Sequence, residues 1–127
     1  GHMIRAILEG VAFSLRDTFS IFEEMKLPVR NVRLGGGGAR SALWQQIQAD
    51  VYGRDVEIVE AEEGAAYGAA ILAGVGASVW PSVDDAVSSL VRVAKKVSSR
   101  PDVVALMDDQ YSSYRRVYSA TRTIFQH

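Results

Sequence analysis

Four consecutive glycines, Gly35 to Gly38, stand between an apolar stretch and an amphipathic one, in the segment Val32-Arg33-Leu34-Gly35-Gly36-Gly37-Gly38-Ala39-Arg40-Ser41-Ala42-Leu43-Trp44. No helix or strand interior favours such a run, because glycine gives up more backbone freedom on ordering than any other residue. The run therefore fixes a strand–turn–helix boundary. A turn needs only one or two glycines. Four leave a bare backbone that a flat or anionic ligand can approach closely.

The rest of the chain alternates around this boundary. Ile4, Ile7, Leu8, Val11, Leu15, Phe19, Phe22 and Met25 recur at steps of three and four, predicting a long amphipathic helix to about Lys26, closed by Leu27-Pro28. Val29 to Leu34 reads as a strand, Ser41 to Tyr52 as a helix stopped by Gly53, and Val56 to Val59 as a second strand. An acidic loop, Glu60-Ala61-Glu62-Glu63-Gly64, leads into a helix built of Ala65, Ala66, Gly68, Ala69, Ala70, Ala73 and Gly74. So little side-chain bulk lets that helix lie close to a neighbour, and tight packing is the simplest reading. After the break at Trp80-Pro81, Ser82 with Asp85 resembles a capping box for a helix to about Ala94. Lys95 to Arg100 reads as a basic linker. Beyond Pro101, the residues Val104, Met107, Tyr111, Tyr114, Tyr118, Thr121 and Phe125 form a seam at helical spacing. That seam is a core face, with a homodimer interface as the alternative.

The order α-β-α-β-α-α-α contains one β-α-β unit, so the two strands should be parallel with a right-handed crossover. Two strands make a poor sheet, and their valines and isoleucine look buried on both faces. Further strands are therefore expected from elsewhere: a longer parent chain or a second copy. Gly1-His2-Met3 reads as a cloning scar, and a helix that opens at once without a lead-in suggests a piece of a longer protein.

Two common meanings of a glycine-rich turn fail here. A P-loop requires GxxxxGK[ST], and no lysine occurs between Lys26 and Lys95. A dinucleotide fingerprint requires GxGxxG with an acidic residue further on. Glu57 or Glu60 would supply the acid, but the third glycine falls on Arg40 or Ser41. At 127 residues and 48% apolar content the chain is one globular domain. A net charge of −1 offers no attraction for nucleic acid or an anionic membrane. The absence of cysteine removes disulfides and thiolate metal sites, which suits a cytoplasmic protein.

Several blocks carry a resemblance: Arg5-Ala6-Ile7-Leu8-Glu9-Gly10, then Leu34 to Ser41, then Gln48-Ala49-Asp50-Val51-Tyr52-Gly53, then Glu62-Glu63-Gly64-Ala65-Ala66-Tyr67-Gly68-Ala69-Ala70. In this order they resemble the carboxy-terminal domain of the FGGY carbohydrate kinases, and the tail from Tyr111 to Phe125 resembles that family's closing helix. Within the family, the Glu62–Gly68 segment is most like that of xylulokinases, with gluconokinase and glycerol kinase as alternatives. The resemblance implies an α/β fold, a fragment of an actin-like, ribonuclease-H-type ATPase lobe. It implies ATP as phosphoryl donor, with magnesium ligands outside this chain, and a pentulose bound mainly by an amino-terminal lobe. Gly36, Gly37 and Gly38 would present backbone to the nucleoside, and Ser41 would hydrogen-bond the base where related kinases often carry asparagine.

No catalytic residue is expected in this chain. In the family the catalytic aspartate, sugar pocket and phosphate loops lie upstream. Asp108 and Asp109 are helix neighbours pointing about 100° apart, so they cannot share a proton or metal. Glu60, Glu62 and Glu63 read as a solvated loop, and His2 and His127 belong to the termini. The fragment alone should be inactive. A freestanding nucleotide- or dinucleotide-binding module is the remaining alternative.

Overall fold

The computed structural model describes residues 1–60 and 64–124, so Glu62, Glu63, Phe125 and His127 lie outside the described residues. The elements run α1 (His2–Glu24), β1 (Val32–Leu34), a 3-10 turn (Gly37–Arg40), α2 (Ala42–Tyr52) and β2 (Val56–Val59). Then follow α3 (Gly64–Gly76), α4 (Val83–Leu90), β3 (Val93–Val97), α5 (Pro101–Thr121) and a final 3-10 turn (Arg122–Ile124).

Local signals set most boundaries. Helix α1 ends where Met25 caps it and Lys26 turns into the left-handed region at φ 56°. Ser41 caps α2 by accepting from the Trp44 backbone N–H at 3.3 Å. Gly53 closes that helix in the left-handed conformation, at φ 61° and ψ 27°. Ser82 caps α4 by accepting from the Asp85 N–H at 3.1 Å, and its hydroxyl donates to the Asp85 carboxylate at 2.6 Å.

The expected parallel pair forms, with Val32 opposite Val56 and Leu34 opposite Ile58. The two-strand expectation is nevertheless corrected. A third strand, β3, pairs antiparallel with β2 and makes a mixed sheet in the order β1-β2-β3. Helix α4 accordingly stops at Leu90 rather than Ala94, because Val91 turns extended, and the basic linker is in part a strand. The physical reason is position. On this edge strand Val93, Ala94, Lys95 and Lys96 are exposed and only Val97 is buried, so no apolar alternation marks it. Lysines on a sheet edge discourage pairing with other chains.

The strands are also not buried on both faces. Arg33, Glu57 and Lys96 form one polar row across the sheet, with Arg33 bridging Glu57 at 3.1 Å. Val32, Val56 and Val97 form the adjacent row on the other face, where the core lies. There Val56, Val51 and Ala49 are fully excluded from solvent. Helix α1 adds Ala12 and Phe13, and α5 adds Met107 and Tyr111. Phe13 packs between Tyr111 and Tyr114, with ring centroids 5.8 and 5.5 Å away, and Phe19 meets Tyr52 edge-on at 4.9 Å. The α5 seam is thus a core face through Tyr114, whereas Tyr118 is exposed. The small-residue helix α3 lies close enough to Trp80 that a Cβ on Gly74 would fall 2.4 Å from the indole ring.

Candidate functional site

Strands β1 and β2 are parallel and joined through α2, so their carboxyl ends open on the same edge of the sheet. In open α/β sheets ligands bind outside those carboxyl ends. The glycine run sits there. Gly36 holds φ at 75°, a conformation that L side chains rarely adopt, and its carbonyl accepts from Ala39 N–H at 3.1 Å to start the 3-10 turn. A Cβ on Gly37 would meet nothing within 4 Å, and one on Gly38 would make ordinary contact with Trp44 at 3.5 Å. Folding therefore requires a glycine at 36 and leaves 37 and 38 bare without needing to. Ser41 follows on the same rim. Its oxygen accepts one bond as the α2 cap, which leaves the hydroxyl proton and a second lone pair for a ligand.

Beside the turn lies a cleft of about 430 Å³, bounded by Gly36, Ala39 and Arg40 on one side, and by Ile58, Val59 and Glu60 at the end of β2. Its far wall is Ala94 and Lys95 of β3. Gln45, one turn into α2, forms the floor. Only 6% exposed, it donates to the Ala39 carbonyl and accepts from the Lys95 ammonium at 3.3 Å. Sequence reading singled out neither Gln45 nor Lys95. The available signal was the spacing of Gln45, four residues after the cap, which puts it on the cap's side of the helix. A larger space, about 580 Å³ between α1 and α5, is lined by Asp17, Ser20, Tyr114 and Tyr118 among others and lies on helices away from the glycine turn.

The helix that carries Gln45 is fixed by further buried polar groups. Asp50 is 1% exposed and accepts from the Arg100 guanidinium at 2.6 and 3.1 Å, the Arg100 backbone N–H at 2.9 Å and Gln46 at 3.0 Å. Burial pushes its carboxyl up, but these hydrogen bonds, chiefly from Arg100, outweigh it and hold the group below the ordinary value of 3.8. Among the described residues no buried side-chain nitrogen or oxygen lacks a partner. Asp108 bonds Arg16 at 2.6 Å, a structural role. No three His, Cys, Asp or Glu side chains come together among the described residues as a metal site would require. None of the helices there is long and apolar enough to cross a membrane.

Comparison with known proteins identifies the family and the fold. Residues 1–77 match the C-terminal domain of the FGGY family of carbohydrate kinases. The xylulose kinase of Bacillus subtilis (strain 168) is 32% identical over 123 residues, which are 97% of this chain and 25% of that protein. The L-xylulose/3-keto-L-gulonate kinase of Escherichia coli (strain K12) is 33% identical over 121 residues, 94% of this chain and 24% of that protein. Among solved structures, the xylulose kinase of Rhodospirillum rubrum superposes with a TM-score of 0.84 at 30% identity, covering 100% of this chain and 26% of that one. Plasmodium falciparum glycerol kinase, solved with ADP, superposes at 0.71 and 29% identity, covering 99% of this chain and 25% of that one. The chain thus spans about a quarter of the length of these relatives, and its fold is part of the actin-like ATPase architecture that they share. It belongs to the FGGY family of carbohydrate kinases, within their C-terminal domain.

Proposed function

We propose that this chain, over residues 4–127, is the nucleotide-side portion of a cytoplasmic sugar kinase that phosphorylates D-xylulose with ATP, and that Gly1–Met3 are a cloning scar. The observation that carries the nucleotide reading is the glycine wall. Two of its glycines leave room that folding does not need, at the carboxyl edge of a parallel strand pair. Gly36, Gly37 and Gly38 offer backbone to the nucleoside, and the Ser41 hydroxyl donates to the base. Bound magnesium ATP supplies the phosphoryl group. Transfer of that group depends on positioning and charge stabilisation rather than on covalent chemistry by the protein. The residues of this chain contribute the positioning. The base for the sugar hydroxyl, the magnesium ligands and the pentulose pocket belong to the larger part of the kinase, so the isolated chain binds without turning over.

The likeness to kinases of other sugars, including the Escherichia coli L-xylulose/3-keto-L-gulonate kinase, supports a different FGGY substrate as the second reading. Residues that would select the sugar are expected in the remainder of the protein.

The nucleotide reading is tested by nuclear magnetic resonance titration of the labelled chain with ADP. Amide shifts are expected at Gly35–Ser41, and Gly37→Val should abolish them without lowering the melting temperature, because its side chain projects into open space. Unchanged ADP binding by Gly37→Val, or shifts caused by a nicotinamide dinucleotide and not by ADP, would overturn it.

A further inference from the structure

Lys95 is out of pattern for its place in the sheet. It stands opposite Ile58, which stands opposite Leu34, in a row that is otherwise apolar on the face covered by α2. The neighbouring Lys96 projects to the other face and pairs with Asp55 at 3.0 Å. Lys95 instead reaches the neutral amide of Gln45. An ammonium carries three donors, and that contact uses one of them.

The strand is irregular at this point. Ile58 pairs with Lys95 but Val59 pairs with Val93, so Ala94 is an extra residue. Such bulges re-aim side chains beside functional sites. Here the extra residue and the lysine both line the cleft next to the glycine turn. Gln45 links the two walls, since one end of its buried amide holds the turn through the Ala39 carbonyl and the other holds the ammonium. Among the described residues, the cleft lining carries the side chains of Arg40, Lys95 and Glu60.

We infer that Lys95, positioned by Gln45, meets the phosphate of the bound nucleotide and makes the site prefer nucleotides to nucleosides. This inference rests on the nucleotide reading above. A charge-assisted hydrogen bond to phosphate is roughly twice as strong as a neutral one. Removing it should weaken ADP binding about tenfold while leaving adenosine unchanged.

The experiment titrates the labelled full chain with adenosine and with ADP at constant ionic strength, for the wild type, Lys95→Met, Lys95→Arg and Gln45→Met. The wild type is expected to favour ADP. Lys95→Met should erase that preference and Lys95→Arg should keep most of it. Gln45→Met should reduce it, since the ammonium loses its anchor. Melting curves run alongside, and Lys95→Met should melt with the wild type because the residue is exposed. An unchanged preference in Lys95→Met overturns the inference, as does an equal loss for both ligands, which marks a merely structural lysine. Equal wild-type affinity for adenosine and ADP overturns it while leaving the nucleotide reading intact. A wild type that responds to neither ligand removes both.

Discussion

Replacing Arg100 by methionine is expected to destabilise the chain by about 2–3 kcal/mol at neutral pH, a cost that arises at Asp50. The Asp50 side chain is 2% exposed, so a carboxylate without its cation is poorly hydrated. Removing one partner of a buried ion pair costs about 3–5 kcal/mol. The lower figure follows from geometry: the backbone N–H of residue 100 and the Gln46 amide still donate, and the half-exposed Arg100 side chain leaves a gap that water enters. For a domain of this size each kcal/mol shifts the melting temperature by about 3–5 °C, so Arg100→Met should melt roughly 6–15 °C lower. The pH dependence distinguishes the cause. In the wild type the folded carboxyl sits below its ordinary value of 3.8, so its contribution is present above that value and disappears as pH falls through the folded one. In Arg100→Met burial acts without its main opponent, and the folded carboxyl rises instead. The variant then takes up its proton before the unfolded chain does, and the gap to wild type narrows between pH 7 and pH 4. Paired denaturant melts at both pH values measure this. A gap below about 1 kcal/mol at pH 7 would refute the buried-charge argument, and so would a gap that stays constant down to pH 4.

Two further outcomes follow from the same packing. Burial pushes the Tyr52 phenol up to about 12, while its hydroxyl donates to Gln48 at 2.9 Å. Absorbance titration should show that tyrosine ionising last, with its stability contribution lost as pH rises from 10 to 12, and Tyr52→Phe should delete the late step; a single transition near 10 for all five tyrosines contradicts this. Gly74→Ala should cost about 1–3 kcal/mol through overpacking, since the new methyl would lie 2.4 and 2.8 Å from Trp80, and should shift tryptophan emission in a Trp44→Phe background. Gly68→Ala, whose methyl meets open space, should instead stabilise α3 by about 0.5–1 kcal/mol; equal effects at the two glycines would remove the close-approach account.

The sequence alone determined what depends on local chemistry. Gly53 ends α2 because the lack of a Cβ lets it turn left-handed while its N–H bonds the Ala49 and Asp50 carbonyls, and Ser82 opens α4 because its oxygen accepts from the Asp85 N–H; both positions were legible in the sequence. The blocks shared with the FGGY family are legible in the sequence alone and point to its C-terminal domain. Some features had no local signal. Strand β3 is an edge strand whose exposed face hides the alternation that marks a strand, so Val93–Val97 could be recognised only by its pairing with β2. The α5 seam was readable as a stripe, but only packing against α1 decided that Met107 and Tyr111 are core and Tyr118 is not.

The glycine run divides in the same way. Its composition announced a close-approach turn, because bare backbone is a property of the residues themselves. Which glycine the fold requires was a tertiary matter, since only the conformation at Gly36 and the space around Gly37 and Gly38 separate necessity from vacancy. Gln45 and Lys95 are fifty residues apart and share no local pattern. Only the antiparallel pairing of β3 brings them together, because a hydrogen bond between distant side chains exists only once the backbone between them has folded.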